Sequence, residues 1–466
     1  EVDRLLPTDS AHPWAARYDW STAPSGGASV AVARPEVAFR VNSGFPYGYN
    51  DGAIWAGRGL TASGQGGVVG RYGPLAVTVV PMVAWAQNAG FQLQPNAQPG
   101  ARKYANGLYS GIIDHPQRFG DHAYTVVDWG QSALEVTKWG LATGVSSAND
   151  YWGPSSDFPV ILGNNAGGFP HVFAGTAVPV DLWIARVHAR ALFGRLTQTA
   201  YSQQTGEPSI RAASGAVVVV TPRWPDGLEL GATRVIHSVW ARRKSVLDEL
   251  RSPLGFGTRN DSLENQLASV FFRWTLGEVG IEVFGEYGTE DFRYDLREVF
   301  VEPDHGGGYT IGLRQVSRWT GGVWRVVRAE VQNLQVGTLV QSRGQAPFYV
   351  HFGLLQGHTY QGQILGSDAG LGGAAAKVAV DWYHPGGRWT VAWSRLLRGD
   401  GSNTVATTPQ NPRGLDVIHT LGVEGLFFRG RYDIWAGATA GYEFNRDFRR
   451  DAFNLNLFFA VRTGLR

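Results

Sequence analysis

The C-terminal part of the chain alternates apolar and polar residues with a period of two, which is the spacing of a β-strand with one apolar face. In the final stretch the apolar positions are Phe453, Leu455, Leu457, Phe459, Val461 and Leu465, and the positions between them include Asn454, Asn456, Arg462 and Gly464. The stretch before it carries Tyr432, Ile434, Ala436, Ala438, Ala440 and Tyr442 on one face and Arg431, Asp433, Thr439 and Glu443 on the other. The segment FFRGRYD predicts a tight turn to a preceding strand.

The same alternation recurs upstream, where Val327, Ala329 and Val331 oppose Arg328, Glu330 and Gln332, and where Ala268, Val270, Phe272 and Trp274 oppose Ser269, Arg273 and Thr275. An Arg facing lipid at the middle of a bilayer costs ~2–4 kcal/mol, so we expect the apolar faces to point outward and the charged faces inward. A soluble β-sandwich also alternates, but it does not normally repeat this pattern over so many strands.

This alternation predicts which side chains face lipid and which face the lumen. We expect Tyr432, Tyr442 and Phe459 to face the membrane and Arg431, Glu443 and Asn456 to face inward. The inward charges Glu282, Glu286, Arg328 and Glu330 either line a pore or pair with each other in a plugged lumen.

Length and composition favour one large barrel over several soluble domains. The 466 residues include 62 Gly, 17 Trp, 17 Tyr and 23 Phe, and only 17% are charged, below the roughly 25% usual for soluble domains. The fold class is therefore all-β, a transmembrane antiparallel β-barrel of about 18 strands with inward-folded or plug-like loops. Residues 1–29 are interpreted as a periplasmic or lumenal segment and residues 30–466 as the barrel, with the least certain strands between residues 148 and 177.

Several function classes are excluded or disfavoured by the sequence. No run of 18 or more apolar residues is present, so a membrane-spanning helix is not expected. The absence of Cys forbids disulfides, thiolate metal sites and Cys nucleophiles. The net charge of +2 argues against nucleic acid as a partner. Because the chain opens at Glu1 without Met or a signal sequence, we expect a mature exported protein located in the bacterial outer membrane.

Two segments, NDGAIWAGRG and WGPSSDFPVILGNNAGGFP, have too few regular apolar positions for strands and are predicted to be structured loops. Trp152, Asn164 and Asn165 of the second segment, together with Arg118 and Asp121, offer an aromatic ring face and planar amide, guanidinium and carboxylate groups. These side chains either contact a ligand or pack and cap an inward-folded plug. Residues 244–251 predict a short loop helix with Ser245 as its N-cap and Pro253 beyond its end.

Three segments resemble the capsule-assembly Wzi family: RPEVAFRVNSGFPYGYNDGAIWAGRGL, IDHPQRFGD and YWGPSSDFPVILGNNAGGFPH, at residues 34–60, 113–121 and 151–171. EPDHGGGYT and YQGQILG are weaker matches. The resemblance implies an 18-stranded outer-membrane barrel that acts as a lectin for capsular or related surface polysaccharide, with loops closing the pore. Under this resemblance the candidate polysaccharide-binding residues are Arg118, Asp121, Trp152, Asn164 and Asn165, because sugar binding requires aromatic ring faces together with planar amide, carboxylate or guanidinium groups. The best-known members carry a substantial helical element before the barrel, whereas the N-terminal stretch here is short.

Catalytic and metal-binding signatures are not found in the sequence. No G-x-S-x-G, H-E-x-x-H or P-loop motif is present, so we expect no enzyme, although outer-membrane lipases show that scattered Ser and His can also act. The 11 His are dispersed, and we expect neither a metal site nor a cofactor. Residues 399–403 and 367–370 have oxygen ligands suited to Ca²⁺, but such clusters are usually turns.

Three functions remain open. The first is a surface polysaccharide-binding barrel involved in capsule or exopolysaccharide attachment or assembly, which rests on the resemblance. The second is a porin for small solutes, which rests on the barrel alone, and the third is a structural subunit of a larger envelope assembly. The expected partners are surface polysaccharide and outer-membrane lipid, and envelope protein partners are not identified.

Overall fold

A closed β-barrel accounts for most of the chain. A computed structural model describes residues 2–6, 12–15, 17–18, 27–202, 210–254, 264–290, 300–302, 305–337, 344–400 and 415–463. Within these ranges 18 antiparallel strands close on themselves, which confirms the predicted fold class and strand number.

The strands follow one another around the barrel in chain order, and three of them are interrupted. They are β1 (Ala28–Asn42), β2 (Gly59–Tyr72), β3 (Leu75–Val79 and Met82–Ala86), β4 (Tyr124–Asp128 and Ala133–Lys138), β5 (Leu141–Ser146), β6 (His171–Thr176 and Val180–Asp181), β7 (Ala185–Thr197), β8 (Ile210–Pro222), β9 (Leu228–Val239), β10 (Glu264–Leu276), β11 (Ile281–Glu290), β12 (Gly307–Arg318), β13 (Trp324–Asn333), β14 (Ala374–His384), β15 (Gly387–Asp400), β16 (Leu415–Arg429), β17 (Tyr432–Arg446) and β18 (Arg450–Thr463).

Among the described residues, helical structure is confined to short pieces. The α-helix α1 spans Val246–Arg251, and the backbone N–H of Asp248 donates to Ser245 Oγ (3.2 Å), which confirms the predicted helix and its N-cap. The 3₁₀ turns span Val2–Leu5, Gly100–Tyr104, Trp240–Arg242, Ser252–Leu254, Gly277–Val279 and Thr320–Gly322. Within the described ranges, no helix is long and apolar enough to cross a membrane.

The two ends of the barrel differ in the length of their connections. At one end, the short-turn end, two-residue turns such as 73–74, 139–140 and 430–431 join neighbouring strands. At the other end, the long-loop end, most connections are longer, and residues 43–58, 87–123, 147–170 and 334–373 are the main ones. Short periplasmic turns and longer extracellular loops are the rule in such barrels, so the long-loop end faces the cell exterior.

The predicted faces of the last two strands are confirmed at five of six positions. Tyr432, Tyr442 and Phe459 are 37%, 42% and 44% exposed on the outer wall. Glu443 is buried in the lumen, and Asn456 points inward, where its Nδ2 donates to Asn42 Oδ1 (2.9 Å).

The prediction for Arg431 is wrong. This residue lies in the two-residue turn after Gly430, where it is exposed and its guanidinium donates to the Tyr432 hydroxyl (3.0 Å). The strand begins at Tyr432, so Arg431 belongs to the turn before it, where the alternation of outward and lumenal side chains does not apply.

Three of the four inward charges, Glu282, Arg328 and Glu330, have a partner of opposite charge, and the fourth, Glu286, accepts a hydrogen bond from Ser269 Oγ (2.6 Å). The Arg314 guanidinium contacts Glu282 and lies 3.5 Å from Glu330, while Arg328 binds Asp381 (2.7 Å). Of the two interpretations of these charges, the structure therefore supports a plugged lumen.

Four long loops fold into the lumen and form a plug, which we define as the inward parts of residues 43–58, 87–123, 147–170 and 344–373. The plug has a core of fully buried side chains that form one apolar cluster with the barrel wall. The plug contributes Ile113, Val160, Ile161, Tyr349 and Val350, and the wall contributes Leu192, Leu196 and Leu267. This packing confirms the expected plug-like loops.

Glu330 on β13 anchors the plug to the wall. Its carboxylate accepts hydrogen bonds from Ser155 Oγ (2.6 Å) and from the backbone N–H groups of Ser156 (2.9 Å) and Asp157 (3.0 Å). Charged acceptors form the stronger hydrogen bonds, and the buried N–H groups lack water as an alternative partner. One carboxylate thus holds the start of the 147–170 loop.

His358 joins two plug loops to the barrel. Its Nε2–H donates to the carbonyl oxygen of Ile161 (2.6 Å), so its Nδ1 accepts from His237 Nε2 on β9 (2.7 Å). The Arg211 guanidinium, bound to the carbonyl of Thr359 (2.6 Å), lies beside this pair. Burial, together with the nearby charge of Arg211, lowers the pKa of His358 to about 4, although the hydrogen bond to Ile161 acts in the opposite direction.

Part of the N-terminal segment lies against the short-turn end. Leu5 and Leu6 pack on Trp324, and Trp14 Nε1 donates to the carbonyl of His384 (3.1 Å). The Tyr18 hydroxyl donates to Asp433 (2.6 Å). The strand pattern begins at Ala28, and the proposal that residues 1–29 form a separate periplasmic or lumenal segment stays a proposal.

Replacing Glu330 by Ala should loosen the plug and raise the ion conductance of the purified protein in planar bilayers. The variant leaves several buried donors without an acceptor, at a cost of ~3–5 kcal/mol. Glu36→Ala is the matched control, because Glu36 binds Arg462 on the neighbouring strand (2.7 Å) and holds no plug residue among its described contacts. A large, steady conductance of the unmodified protein would contradict the plug.

Acidification should weaken the folded state between pH 6.5 and 4. A His whose folded pKa of about 4 lies below its ordinary value of 6.5 takes up its proton in the unfolded state first, so stability falls with pH in that window. His358→Gln retains a donor and an acceptor but does not titrate. Thermal unfolding in detergent at a series of pH values should therefore show a shallower pH dependence for the variant, and identical slopes would contradict the assignment.

Candidate functional site

The plug separates two lumenal cavities. The mouth cavity, of about 170 Å³, lies at the long-loop end among residues of the plug and the strand ends at Arg398 and Arg446. The inner cavity, of about 870 Å³, lies between the plug and the N-terminal segment at the short-turn end. Tyr47, Gly48 and Tyr49 line both. The 47–49 segment is therefore the partition between them.

The mouth cavity combines aromatic rings, amides and charges. Its aromatic and amide residues include Trp55, Tyr109, Gln94, Asn106, Gln117, Asn165 and Gln363, and its charged residues include Asp51, Asp368, Arg398, Asp416, Arg446 and Asp447. Amides and carboxylates supply donors and acceptors for hydroxyl groups, and ring faces supply apolar contact. This chemistry suits a polyhydroxylated ligand.

Local hydrogen bonds hold these amides in place. Gln117 Nε2 donates to the carbonyl of Gln94 (3.0 Å), and the Gln94 N–H donates back to Gln117 Oε1 (2.8 Å). Asn106 Oδ1 accepts from the N–H groups of Leu108 (3.0 Å) and Tyr109 (2.9 Å), the pattern of an Asn-initiated turn. The 87–123 loop therefore presents an ordered surface to the cavity.

Trp55 contributes an aromatic ring to the same cavity. It is half-buried, and its ring packs against Phe119 (centroid distance 5.0 Å) and edge-on to Tyr124 (6.4 Å). These contacts fix the indole on one side while the ring still lines the cavity. A ring held in this way loses little side-chain entropy when a ligand binds.

His115 supplies a neutral imidazole. It lines the mouth cavity, and its Nδ1 is buried without a hydrogen-bond partner in the described part of the chain. Burial, together with the charge of the Arg398 guanidinium, lowers the pKa of His115 to about 4. At neutral pH the ring therefore offers an uncharged polar atom.

Asn165 is the sequence-predicted site residue that lines the mouth cavity. Only 8% of it is exposed, and its Nδ2 donates to the carbonyl of Ile364 (3.3 Å) while its Oδ1 accepts from the Asn50 N–H (3.4 Å). The neighbouring Asn164 is exposed, and its carbonyl accepts from the Gly52 N–H (2.6 Å). Both residues hold the 147–170 loop against the 43–58 loop.

Trp152 is part of the plug core. It is 4% exposed, and its ring packs on Leu192 and Gly215, where a Cβ would lie 2.8 Å from the indole. The ring therefore offers no open face to a sugar in this structure. For Trp152 the structure favours the alternative interpretation, in which the side chain fills space in the plug.

Arg118 and Asp121 are brought together in the 87–123 loop. Arg118 Nη1 lies 3.3 Å from Asp121 Oδ1, and the rest of the largely buried guanidinium binds the carbonyl (2.7 Å) and Oδ1 (3.1 Å) of Asn88. Asp121 is exposed, and hydrogen bonds from Tyr104 and Lys103 lower the pKa of its carboxyl group. Arg118 orders the loop, whereas Asp121 remains accessible as an anionic group.

Several residues that line the mouth cavity are not among the site residues predicted from the sequence. Trp55 lies in a segment predicted to be a structured loop, and His115, Gln117 and Gln363 lie in motifs that carry the family resemblance. The motifs marked the correct segments. Which side chain in each motif points into the cavity depends on packing between loops that are far apart in the chain.

Residues 399–403 and 367–370 have oxygen ligands that would suit Ca²⁺. Within the described residues, no group of three or more His, Cys, Asp or Glu is placed to hold a metal ion. In the 367–370 segment the Ser367 hydroxyl accepts from the Ala369 N–H (3.1 Å), as in an ordinary turn. Residues 401–403 lie outside the described ranges, as do Gly464 and Leu465 of the last predicted strand.

Among solved structures, Wzi of Escherichia coli is similar to this chain, with a TM-score of 0.62 and 13% identity over 93% of this chain and 85% of that chain. That protein is described as an outer-membrane protein involved in group 1 capsule assembly and as a carbohydrate-binding β-barrel. OccAB4 of Acinetobacter baumannii (TM-score 0.47, 8% identity) and OccK5 of Pseudomonas aeruginosa (0.45, 9%) each cover 94% of this chain, with 98% and 99% of their own. At these identities the likeness to E. coli Wzi shows the fold.

The family comparison covers most of the barrel. No curated protein matches the chain significantly. The family model described as capsule assembly protein Wzi matches residues 45–422, which include nearly all of the plug, most residues that line the mouth cavity and most of the strands. The chain therefore belongs to the capsule-assembly Wzi family, and it is a β-barrel of the bacterial outer membrane.

Proposed function

We propose that this barrel binds a surface polysaccharide at its long-loop end and acts in capsule or exopolysaccharide attachment or assembly. The observation that carries the proposal is the mouth cavity, where ring and amide groups meet on the exterior side of a plugged lumen. Membership of the Wzi family and the description of E. coli Wzi as a carbohydrate-binding barrel support the same function.

The side chains proposed to contact the glycan come from three of the plug loops. Trp55 comes from the 43–58 loop, His115 and Gln117 from the 87–123 loop, and Asn165 from the 147–170 loop. Single hydroxyl contacts contribute ~0.5–1.5 kcal/mol each, so affinity for a glycan requires several of them. A repeating polysaccharide adds further contacts through many copies of the barrel on one surface.

Asp121 and Asn164 are proposed as additional contacts outside the cavity, because both side chains are exposed on plug loops. Arg118 is proposed to support Asp121 and not to touch the glycan. We further propose binding without cleavage, because the family is one of capsule assembly and the sequence carries no local catalytic motif.

The porin alternative depends on an open lumen. The paired inward charges and the apolar plug core both argue against a free path for solutes. The alternative of a structural subunit in a larger envelope assembly has no specific support among the described residues. Polysaccharide binding is therefore the function that the geometry supports best.

Trp55→Ala should weaken binding of the organism's purified surface polysaccharide to the detergent-solubilised barrel about tenfold, since truncating an aromatic anchor usually costs more than ~1.4 kcal/mol. Binding can be measured by immobilising the barrel and titrating the glycan. Trp435→Ala is the matched control, because Trp435 lines the inner cavity on the other side of the plug.

Trp152→Ala separates plug stability from ligand contact. Because Trp152 is buried, the variant should lower thermal stability by ~3–5 kcal/mol while the folded fraction keeps its affinity for the glycan.

Equal loss of affinity in the Trp55 and Trp435 variants would contradict a site at the mouth. Absence of any glycan binding by the unmodified protein would contradict the proposed function.

A further inference from the structure

The loop between β9 and β10 folds outward, unlike the plug loops. Its described part, residues 240–254, lies on the outer wall of the barrel. The ring of Trp240 stacks on Phe193 of β7 (centroid distance 5.7 Å, interplanar angle 4°), and Phe193 points away from the lumen because its neighbour Leu192 packs into the plug core.

A buried hydrogen bond fixes the same loop at a second point. Ser214 Oγ on β8 donates to Glu249 of α1 (2.7 Å). Arg211, three residues earlier, points inward to the plug, so Ser214 lies on the outward face of the strand. The segment 240–254 is therefore an ordered structure attached to the outside of the barrel.

The outward loop forms one end of an apolar groove of about 700 Å³. The groove crosses the outward side chains of several neighbouring strands, and its lining includes Val79, Leu134, Val145, Val172, Phe193 and Trp240. On the loop itself Val246, Leu247 and Leu254 are half-exposed. The lining is apolar and faces the membrane.

One basic side chain lines the groove, and four more are exposed on the loop that forms its end. Arg195 lines the groove itself, and the exposed basic residues of the loop are Arg242, Arg243, Lys244 and Arg251. Residues 240–254 include two acidic residues, of which Glu249 is buried against Ser214 and Asp248 is exposed. The exposed face of the loop is thus strongly positive.

We propose that this groove binds a phosphorylated, multiply acylated glycolipid of the outer leaflet, of the lipid A class. The apolar groove faces the hydrocarbon region and would take an acyl chain, and the cations would bind the headgroup phosphates. The groove opens near the long-loop end, which places it in the outer leaflet. The charge complementarity favours an anionic lipid over a second copy of this chain, because two such faces would repel each other.

The groove lies on the outer wall, away from the mouth cavity, so lipid binding there is independent of polysaccharide binding. The basic loop would bind headgroup phosphates specifically, beyond general contact with membrane lipid. A cation near an anionic membrane surface contributes about 1 kcal/mol, which corresponds to about fivefold in affinity.

Native mass spectrometry of the full chain in detergent, with purified bisphosphorylated lipid A added, tests the proposal. A variant combining Arg243→Ala, Lys244→Ala and Arg251→Ala should bind lipid A at least about tenfold more weakly than the unmodified protein. The matched control combines Arg71→Ala, Arg223→Ala and Arg431→Ala, three exposed residues at the short-turn end, and should bind normally. Heat-dependent mobility on gels verifies that both variants fold.

Two further comparisons separate the possible occupants. Dephosphorylated lipid A should bind the unmodified protein more weakly, and Trp240→Ala should weaken lipid A binding without unfolding the barrel. Equal losses in the two triple variants would overturn the proposal, as would equal binding of lipid A and phosphatidylglycerol, which indicates ordinary annular lipid. A concentration-dependent dimer abolished by Trp240→Ala would assign the groove to a second copy instead.

Discussion

Closure of the sheet between β1 and β18 is the constraint on which the rest of the structure depends. The hydrocarbon region contains no water, so each strand must find backbone partners on both sides. Register between these two strands runs from Glu36 opposite Arg462 to Asn42 opposite Asn456. Within it, Phe39 pairs with Phe459 and both rings face outward. One register therefore satisfies the backbone, the lipid-facing side chains and the polar lumen together.

A closed barrel of 18 strands has a lumen that is wider than the wall side chains can fill, so other parts of the chain must fill it. Loops fill it here, and they introduce backbone N–H groups that need partners away from bulk water. Wall residues supply those partners: Glu330 accepts from the 147–170 loop, and Arg211 donates to the carbonyl of Thr359 in the 344–373 loop. The polar alternation that keeps charges out of lipid thus also positions the groups that hold the plug and, through it, the mouth cavity.

The sequence predicted the barrel well because alternation is a local property. The outward Tyr442 and Phe459 follow from period two alone, and the family motifs marked the segments that form the plug. The candidate site was predicted less well. Trp152 and Asn165 have side chains suited to sugar binding, but Trp152 is buried against Gly215 and only Asn165 reaches the mouth cavity. Side-chain type indicates possible chemistry, whereas access depends on contacts between distant loops.

The different directions of the long loops have a physical cause in their charge. The 147–170 loop carries two ionisable carboxylates, Asp150 and Asp157, and both are paired in the lumen, with Arg190 and with Arg328 and Lys377. The 240–254 loop carries four basic residues. Many acidic groups in the lumen already bind basic side chains, so several of these cations would lack a partner there. Because an unpaired buried charge costs several kcal/mol, such a loop is more stable on the outside, where its apolar residues contact the wall and its cations reach the headgroup region. For these two loops the difference in charge content therefore accounts for the difference in direction, one closing the barrel and the other contacting the membrane.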